Sequence, residues 1–241
     1  MNTPRLRIIA GPNGSGKTTL TRYLAQEHSL SLGFYINADD IERKIRKDRL
    51  FAFSEFHILA NEPEVRNFFT NHPLNKNTLQ NSFHVQDNIL IMTKEAGNYF
   101  AAILSDFLRR TLVRQKVSFS FETVMSGVDK IKLMGEAHAS NYKNYLYYVC
   151  TDDVLINKER IRSRVLMGEH AVPEDKIVSR YVRSLDLLLD AIKLSDRAYL
   201  FDNSGQSHEL IAEVTDGTII NLKKDLMPGW FIEAVINKLD A

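Results

Sequence analysis

The sequence feature that most constrains the fold is the segment from Arg5 to Leu24, RLRIIAGPNGSGKTTLTRYL. An apolar run turns there abruptly into glycines, a lysine and two threonines. The spacing matches G-x-x-x-x-G-K-[S/T], which begins at Gly11 and ends at Thr18. Apolar residues precede the motif, and a helical segment from Thr19 to Gln26 follows it. This context predicts a phosphate-binding loop, or P-loop, between a buried strand and a helix.

Each part of the P-loop has a distinct expected role. Its glycines permit positive φ and let backbone N–H groups close around phosphate oxygens. The helix that begins near Lys17 adds its positive dipole end at the same place. We expect Lys17 to reach the β- and γ-phosphates of a nucleoside triphosphate, and the Thr18 hydroxyl to ligate Mg²⁺. The alternative is a glycine-rich turn that binds nothing. The predicted nucleotide-binding residues are Gly11, Pro12, Asn13, Gly14, Ser15, Gly16, Lys17, Thr18 and Thr19.

Charge and cysteine content narrow the class of partner and the compartment. The chain carries 31 basic and 30 acidic side chains, so its net charge of +1 gives no overall field for DNA or RNA. The one cysteine, Cys150, fits a reducing cytosol, and its place at the end of an apolar run favours a buried thiol over a nucleophile. No signal peptide is apparent, and no run of about 18 apolar residues occurs. We expect a cytoplasmic protein without membrane contact.

Strand-like runs that alternate with helical patterns predict an α/β fold with a parallel sheet. Three of these runs end in polar clusters, in FYINADD, SFSFET and YLFDNS. Ligands of open parallel sheets bind outside the carboxyl ends of the strands, so these clusters are expected beside the P-loop. The predicted strands are Leu6–Ala10, Gly33–Asn37, Ser118–Phe121, Tyr145–Cys150, Ala198–Phe201 and Thr218–Leu222.

The segment between Ile41 and Tyr99 is less regular. Its basic run, RKIRKDRLF, fits either an acidic partner or a solvated helix face. The stretch from Asn61 to His84 is interpreted as a polar, loop-rich insertion, and Gln86–Leu108 as helical.

Two arginine-bearing helices are predicted in the second half of the chain. Arg160 and Arg164 share one helix face. A turn at Gly168-Glu169-His170 ends that helix, and Pro173 starts the next, which carries Arg180 and Arg183. Such a pair can form a lid whose guanidinium groups offset charge on a transferring phosphoryl group. The alternative is a pair of solvated, salt-bridging helices.

Taken together, the motifs resemble those of zeta-toxin-type P-loop kinases. The resemblance rests on GPNGSGKTTL, YINADDI, FETVMSG, RVLMGEHAVPEDKIVSRYVRSL and LFDNS, which occur in this order. It implies a three-layer P-loop NTPase fold, with a central, mostly parallel sheet flanked by helices and an arginine-bearing helical lid. It further implies transfer of the ATP γ-phosphate to a hydroxyl of a nucleotide-sugar acceptor such as UDP-N-acetylglucosamine, and it raises an antitoxin protein as a partner. We expect one kinase domain over 1–241, with an insertion at about 41–100 and the lid at about 155–195.

The resemblance also assigns roles to individual residues. Asp39 matches the general base for the acceptor hydroxyl, with Asp40 as its neighbouring competitor; in an extended chain the two would point in opposite directions. Glu122, Thr123 and Asn37 are expected to contact the acceptor. Arg164 and Arg180 match the arginines that contact the triphosphate, although Arg160 or Arg183 could substitute, and His170 is expected to order the lid turn.

Two further assignments stay open. Asp202 ends a run, AYLFD, that resembles a metal-associated Walker B strand, whereas the family comparison places DNS near the nucleotide base. The alternatives to a small-molecule kinase are an NTP-hydrolysing switch without an acceptor and a polynucleotide or RNA-end kinase. The net charge of +1 argues against the last of these.

Overall fold

A computed structural model describes residues 3–26, 30–75, 79–95, 97–168 and 171–239. The chain forms two compact units: the first contains Met1–Gly33 and Ser120–Ala241, and the second contains Phe34–Phe119. The strands and helices in chain order are β1 (Arg5–Ala10), α1 (Lys17–Gln26), β2 (Phe34–Ile36), α2 (Ala38–Asp48), β3 (Leu50–Ala52), α3 (Glu62–Asn71), β4 (Phe83–Gln86), β5 (Ile89–Met92), α4 (Asn98–Arg114), β6 (Phe119–Thr123), α5 (Asp129–Ala139), β7 (Lys143–Cys150), α6 (Val154–Leu166), α7 (Glu174–Asp186), α8 (Leu188–Lys193), β8 (Arg197–Asp202), β9 (Glu209–Thr215), β10 (Ile219–Leu222), α9 (Gly229–Phe231) and α10 (Asn237–Leu239).

A mixed sheet forms the centre of the first unit, with its strands in the order β10-β9-β8-β7-β1-β6. Strand β1 pairs in parallel with β7, which pairs in parallel with β8, whereas β9 and β10 are antiparallel additions at the edge. Helix α1 packs on β1 and β7, and α5 packs on β7. The predicted α/β fold with a mostly parallel central sheet flanked by helices is therefore confirmed.

The central strands are apolar because they are buried. Leu6, Ile8 and Ile9 of β1 are fully buried, as are Leu146 of β7 and Leu200 of β8. Continuous apolar runs of this kind are typical of strands that are covered on both faces. The register sets Ile8 opposite Leu146, so that the P-loop after β1 lies next to the end of β7.

All six predicted strands are present, with bounds that differ by no more than two residues. Strand β9 was missed by the sequence analysis. It begins after the polar stretch Ser204–His208 and ends at a turn in which Asp216 and Gly217 adopt positive φ.

The second unit corrects the interpretation of the segment after Ile41. Asn61–His84 is not loop-rich, because it contains α3 and the start of β4. The predicted helix over Gln86–Leu108 is wrong in its first part, since β5 lies there and α4 begins only at Asn98. Strands β3, β5 and β4 form an antiparallel sheet in that order.

A tight hairpin explains why this sheet was missed. Only Asp87 and Asn88 separate β4 from β5, and both adopt positive φ, at 50° and 63°. Two consecutive residues in that conformation make a type I′ turn, whose usual signals are Asn-Gly and Asp-Gly. Asp87 and Asn88 form the same turn without a glycine.

Phenylalanine side chains build the core of the second unit. The rings of Phe69 and Phe100 have centroids 4.8 Å apart, and Phe69 lies 4.9 Å from Phe83. Phe53 and Phe107 form an edge contact at 5.8 Å. All five of these residues are buried. Aromatic pairs at such distances add to the stabilisation that comes from their buried area.

A buried carboxylate ties α3 to α4 inside this unit. The carboxylate of Asp106 forms ion pairs with Arg109 at 3.3 Å and Arg110 at 2.9 Å. A ring nitrogen of His72 lies 3.5 Å from the same carboxylate. Burial raises the pKa of Asp106, but the hydrogen bond from His72 and the charges of the two arginines outweigh burial and lower this pKa below its ordinary value. The ionised form of Asp106 therefore stabilises the fold.

No helix within the described ranges is both long and apolar enough to cross a membrane.

Replacing Asp106 by Asn should lower the free energy of unfolding at pH 7 by about 3–5 kcal/mol, because the buried Arg109 and the half-buried Arg110 lose their counter-charge. A carboxyl group with a depressed folded-state pKa stabilises the fold above its unfolded pKa of about 3.9, and this contribution is lost as the pH falls through the folded pKa. The difference between the wild type and Asp106→Asn should therefore narrow below about pH 4. Urea unfolding followed by circular dichroism measures both effects.

The matched control is Asp48→Asn, which changes an exposed carboxylate of α2 in the same unit. Its free energy of unfolding should stay within about 0.5 kcal/mol of the wild type. Equal effects of the two substitutions would contradict the stabilising role of the Asp106 cluster.

Candidate active site

The P-loop lies between β1 and α1, as predicted. Gly11, Gly14 and Gly16 adopt φ of 147°, 76° and 98°, which favours glycine at all three positions. A Cβ at Gly11 would lie 2.0 Å from the carbonyl oxygen of Val149, and one at Gly16 would lie 2.3 Å from the side-chain nitrogen of Asn203. The glycines are therefore required by both conformation and space.

Three carbonyl groups of the loop accept hydrogen bonds from side chains. The ammonium group of Lys17 donates to Pro12 at 2.9 Å, Asn157 donates to Asn13 at 2.6 Å, and Asn203 donates to Ser15 at 2.7 Å. No local sequence pattern marks Asn157 or Asn203 for these loop contacts, and the position of DNS near the nucleotide base stays a prediction.

Two polar atoms of the loop remain unsatisfied. Among the residues that the structure describes, the side-chain oxygens of Asn13 and Ser15 are buried and form no hydrogen bond. A buried polar atom without a partner is costly unless a ligand or water satisfies it. The Ser15 hydroxyl can donate to a phosphate oxygen, so it fits a phosphate group together with the glycine-built cradle and Lys17, whereas the Asn13 amide oxygen can only accept a hydrogen bond.

The first residue after the lysine faces a carboxylate. The Thr18 hydroxyl donates to Glu122 of β6, at 3.2 Å from one carboxylate oxygen and 3.5 Å from the other. Hydroxyl and carboxylate oxygens are ligands that Mg²⁺ accepts, together with nucleotide phosphates and water. The donor set therefore fits Mg²⁺, with Thr18 as the predicted ligand and Glu122 as its orienting neighbour.

Two of the residues predicted to bind the phosphoryl acceptor also have local structural roles. The Thr123 hydroxyl accepts a hydrogen bond from the backbone N–H of Met125 at 3.0 Å, in a turn where Met125 has a φ of 54°. Asn37, in the second unit, caps α2, because its side-chain oxygen accepts from the N–H of Asp39 at 2.9 Å. Their contacts with an acceptor stay predictions.

Asp39 and Asp40 lie in the first turn of α2, not in an extended chain. The expectation that they point in opposite directions is therefore wrong, since successive helical residues are rotated by about 100°. Asp40 forms an ion pair with Arg43 at 3.2 Å. Within the described part of the chain Asp39 forms no such pair, although both carboxylates favour the helix through its dipole. Among the described residues, Asp40 therefore has an ion-pair partner and Asp39 has none.

The predicted pair of arginine-bearing helices is present as α6 and α7. Gly168, with a φ of 94°, follows the end of α6, and Pro173 is the N-cap of α7. Glu169 and His170 lie outside the described residues. Glu174 of α7 joins the helices through ion pairs to Lys158, at 3.4 Å, and to Arg162.

The four arginines that are candidates for contact with the triphosphate lie in different environments. Arg160 donates to the carbonyl of Gly205 at 3.2 Å, and Arg183 donates to the Ser179 carbonyl at 3.1 Å. Arg164 is exposed and Arg180 is half-buried. Their contact with a triphosphate stays a prediction.

The carboxylate of Asp202 accepts hydrogen bonds from Trp230 and Ser204. It accepts from the indole N–H of Trp230 at 2.9 Å, from the Ser204 hydroxyl at 2.8 Å and from the Ser204 backbone N–H at 3.0 Å. These bonds favour a structural role over the alternative of a metal ligand.

For the basic run after Ile41 and for Cys150, the structure also favours structural roles. In the basic run, Arg46 pairs with Glu42 at 2.6 Å and Lys44 pairs with Glu55, which favours a solvated helix face. Cys150 is fully buried, and burial raises the pKa of its thiol to about 12. A thiol with that pKa is a poor nucleophile.

Sequence comparison finds partial relatives. No protein family profile matches the chain. A cytidylate kinase of Methanosphaerula palustris is 28% identical over 148 residues, which cover 60% of this chain and 78% of that enzyme. An uncharacterised protein of Haemophilus influenzae is 33% identical over 69 residues, which are 29% of this chain and 49% of that protein. The chain thus matches only about half the length of the latter protein.

Structure comparison extends the likeness over nearly the whole chain. A chain of the AvrRxo1-ORF1:AvrRxo1-ORF2 crystal structure with sulphate ions has a TM-score of 0.57 at 14% identity, over 92% of this chain and 62% of that one. The same complex was also solved with ATP. A chain of the PezAT chromosomal toxin-antitoxin system of Streptococcus pneumoniae has a TM-score of 0.50 at 14% identity, over 96% of this chain and 77% of that one. At the level of the fold, the resemblance to zeta-toxin-type P-loop kinases is confirmed.

Proposed function

We propose that the protein is an ATP-dependent phosphotransferase that acts on an alcohol group in the cytoplasm. The observation that carries this proposal is the glycine cradle of the P-loop, with Lys17 at its end and the Thr18 hydroxyl 3.2 Å from Glu122. Such an arrangement binds a nucleoside triphosphate through its phosphates and places a metal-binding hydroxyl beside them.

The proposed acceptor is a nucleotide sugar of the UDP-N-acetylglucosamine type. This finer assignment is supported by the resemblance in FETVMSG, in which Glu122 and Thr123 stand at the acceptor positions, and by Asn37 in YINADDI. Both segments include the carboxyl end of a strand, β6 or β2, where ligands of α/β sheets bind.

The roles of the side chains follow from their chemistry. Bound Mg²⁺ would supply positive charge to the phosphate oxygens, held by the Thr18 hydroxyl. Lys17 neutralises charge on the β- and γ-phosphates, and Asp39 takes the proton of the acceptor hydroxyl. Arg164 and Arg180 are proposed to stabilise charge on the transferring group, as bidentate guanidinium donors do.

A second candidate acceptor is a nucleoside monophosphate. The 28% identity to a cytidylate kinase over 148 residues favours it. The same P-loop chemistry would serve either acceptor, but a nucleoside monophosphate would accept the phosphoryl group on a phosphate oxygen, which has no hydroxyl proton for Asp39 to take. For a polynucleotide kinase the support is weaker, because arginines and lysines of the basic run are paired with acidic side chains of their own unit.

A protein inhibitor is the proposed macromolecular partner. Proteins with this fold occur in the complex of AvrRxo1-ORF1 with AvrRxo1-ORF2 and in the PezAT toxin-antitoxin system. By analogy of fold, an antitoxin-type protein could bind this chain.

The decisive experiment is a transfer assay with γ-labelled ATP and a panel of acceptors. UDP-N-acetylglucosamine, CMP, a 5′-hydroxyl RNA and a water-only control are compared. Label on the UDP-sugar supports the first candidate, and label on CMP supports the second. Release of phosphate alone would point to a hydrolytic switch.

Replacing Lys17 by Ala should lower phosphoryl transfer by at least about 10²–10³-fold, because the charge that neutralises the phosphates is lost. The measurement is the initial rate of transfer at saturating acceptor. Lys132→Ala, an exposed lysine of α5 in the same unit, is the control and should leave the rate unchanged. Transfer by the Lys17 variant at the wild-type rate would show that the P-loop does not bind the reacting nucleotide.

Replacing Asp39 by Asn should leave ATP affinity nearly unchanged and lower transfer by about 10²–10⁴-fold, because the proton acceptor is removed while the phosphate cradle is kept. Asp40→Asn changes the neighbouring carboxylate in the same helical turn and should retain most of the activity. Calorimetry gives the affinity, and single-turnover kinetics give the transfer rate. If Asp40→Asn is the inactive variant instead, the assignment of the base is wrong.

Replacing Glu122 by Gln should raise the Mg²⁺ concentration needed for half-maximal ATP binding by about tenfold or more, because the charge that orients the Thr18 hydroxyl is removed. Titration of ATP binding with Mg²⁺ measures this shift, and Glu159→Gln, an exposed residue of α6, is the control. If the Mg²⁺ requirement is unchanged and the KM for the acceptor is higher, Glu122 binds the acceptor and does not orient the Thr18 hydroxyl.

A further inference from the structure

A buried asparagine joins the first turn of α6 to the P-loop. Asn157 is fully buried, and its side-chain N–H donates to the Asn13 carbonyl at 2.6 Å. The backbone of Asn157 also contacts the loop, since a Cβ at Gly14 would lie 2.7 Å from the Asn157 carbonyl oxygen. The loop and the helix are therefore in contact through both main chain and side chain.

This bond constrains the conformation of the loop. A peptide group is planar, so fixing the direction of the Asn13 carbonyl also fixes the opposite direction of the Gly14 N–H. In a P-loop such N–H groups bind phosphate oxygens. Asn203 acts in the same way two peptide groups further on, where its amide donates to the Ser15 carbonyl at 2.7 Å.

A chain of hydrogen bonds continues from Asn157 into the second arginine-bearing helix. The Thr151 hydroxyl donates to the side-chain oxygen of Asn157. The carbonyl of Thr151 in turn accepts from the Tyr181 hydroxyl of α7 at 2.6 Å. The amide of Asn157 is thus oriented by Thr151, which is itself bonded to α7.

We propose that Asn157 is a positioning residue, which holds the P-loop in its phosphate-binding conformation and couples α6 and α7 to nucleotide affinity. The inference rests on the proposed function, because it assigns to Asn157 an effect on ATP binding. It makes Thr151 the residue that sets the orientation of the Asn157 amide. A change at either position should alter nucleotide affinity although neither is assigned a contact with the nucleotide.

The same unit provides a matched control. Asn144 is also a fully buried asparagine, and its amide donates to the carbonyls of Met134 at 3.0 Å and Leu194 at 2.9 Å. It lies near the start of β7, whereas the P-loop lies beside the end of that strand. Asn144 therefore matches Asn157 in its burial and in donating its amide N–H to backbone carbonyls, without contact with the P-loop.

The experiment compares Asn157→Ala, Thr151→Val and Asn144→Ala with the wild type. Calorimetry gives the dissociation constants of Mg-ATP and Mg-ADP, and a melting curve without nucleotide gives the stability. We expect Asn157→Ala to weaken both nucleotides by about tenfold, the effect of one lost hydrogen bond. Thr151→Val should weaken them in the same direction by a smaller factor. Asn144→Ala should lower the melting temperature and leave both dissociation constants unchanged.

The proposal is overturned if Asn157→Ala binds both nucleotides as the wild type does, or if Asn144→Ala weakens binding equally. Should Asn157→Ala fail to fold, Thr151→Val decides, and wild-type affinity of that variant overturns the proposal. Failure of the proposed function is recognised separately: the wild type would then not bind Mg-ATP, or Lys17→Ala would bind it equally well.

Discussion

Close packing around the glycine loop is the constraint on which the rest of the site depends. Each loop glycine faces a neighbour with no room for a Cβ, and these neighbours come from β7, from α6 and from the segment after β8. The parallel pairing of β1, β7 and β8 brings these parts of the chain together. The phosphate cradle is therefore a product of the whole sheet as well as of its own motif, and a loop with the same letters on another scaffold would lack these contacts.

Local signals made much of the first unit predictable. Glycine and lysine spacing located the P-loop and the start of α1, and apolar runs located β1, β7 and β8 within two residues. The sheet of the second unit was not predictable in this way, because its strands are short and its hairpin turn uses Asp87 and Asn88 in place of a glycine. The loop contacts of Asn157 were missed for a different reason. They join residues 144 positions apart, and nothing local marks one asparagine as the partner of a distant carbonyl.

The residues assigned to the proposed function lie in both units. The first contains the phosphate cradle, the Thr18–Glu122 pair and the arginine-bearing helices. The second contains Asp39 and has a core of its own, made of phenylalanines and the buried Asp106 cluster. The phosphate-binding part of the proposal rests on contacts within one unit, whereas the assignment of the base rests on the resemblance of YINADDI.

The bond between Trp230 and Asp202 gives the molecule an intrinsic optical reporter. Trp230 is the single tryptophan of the chain, it is almost fully buried, and its indole donates to the residue that precedes Asn203. Indole emission consequently originates entirely in the first unit, within one residue of a side chain that holds the P-loop. Fluorescence excited selectively at the indole can follow that unit without a label and without a signal from Tyr35 and Tyr99 of the second.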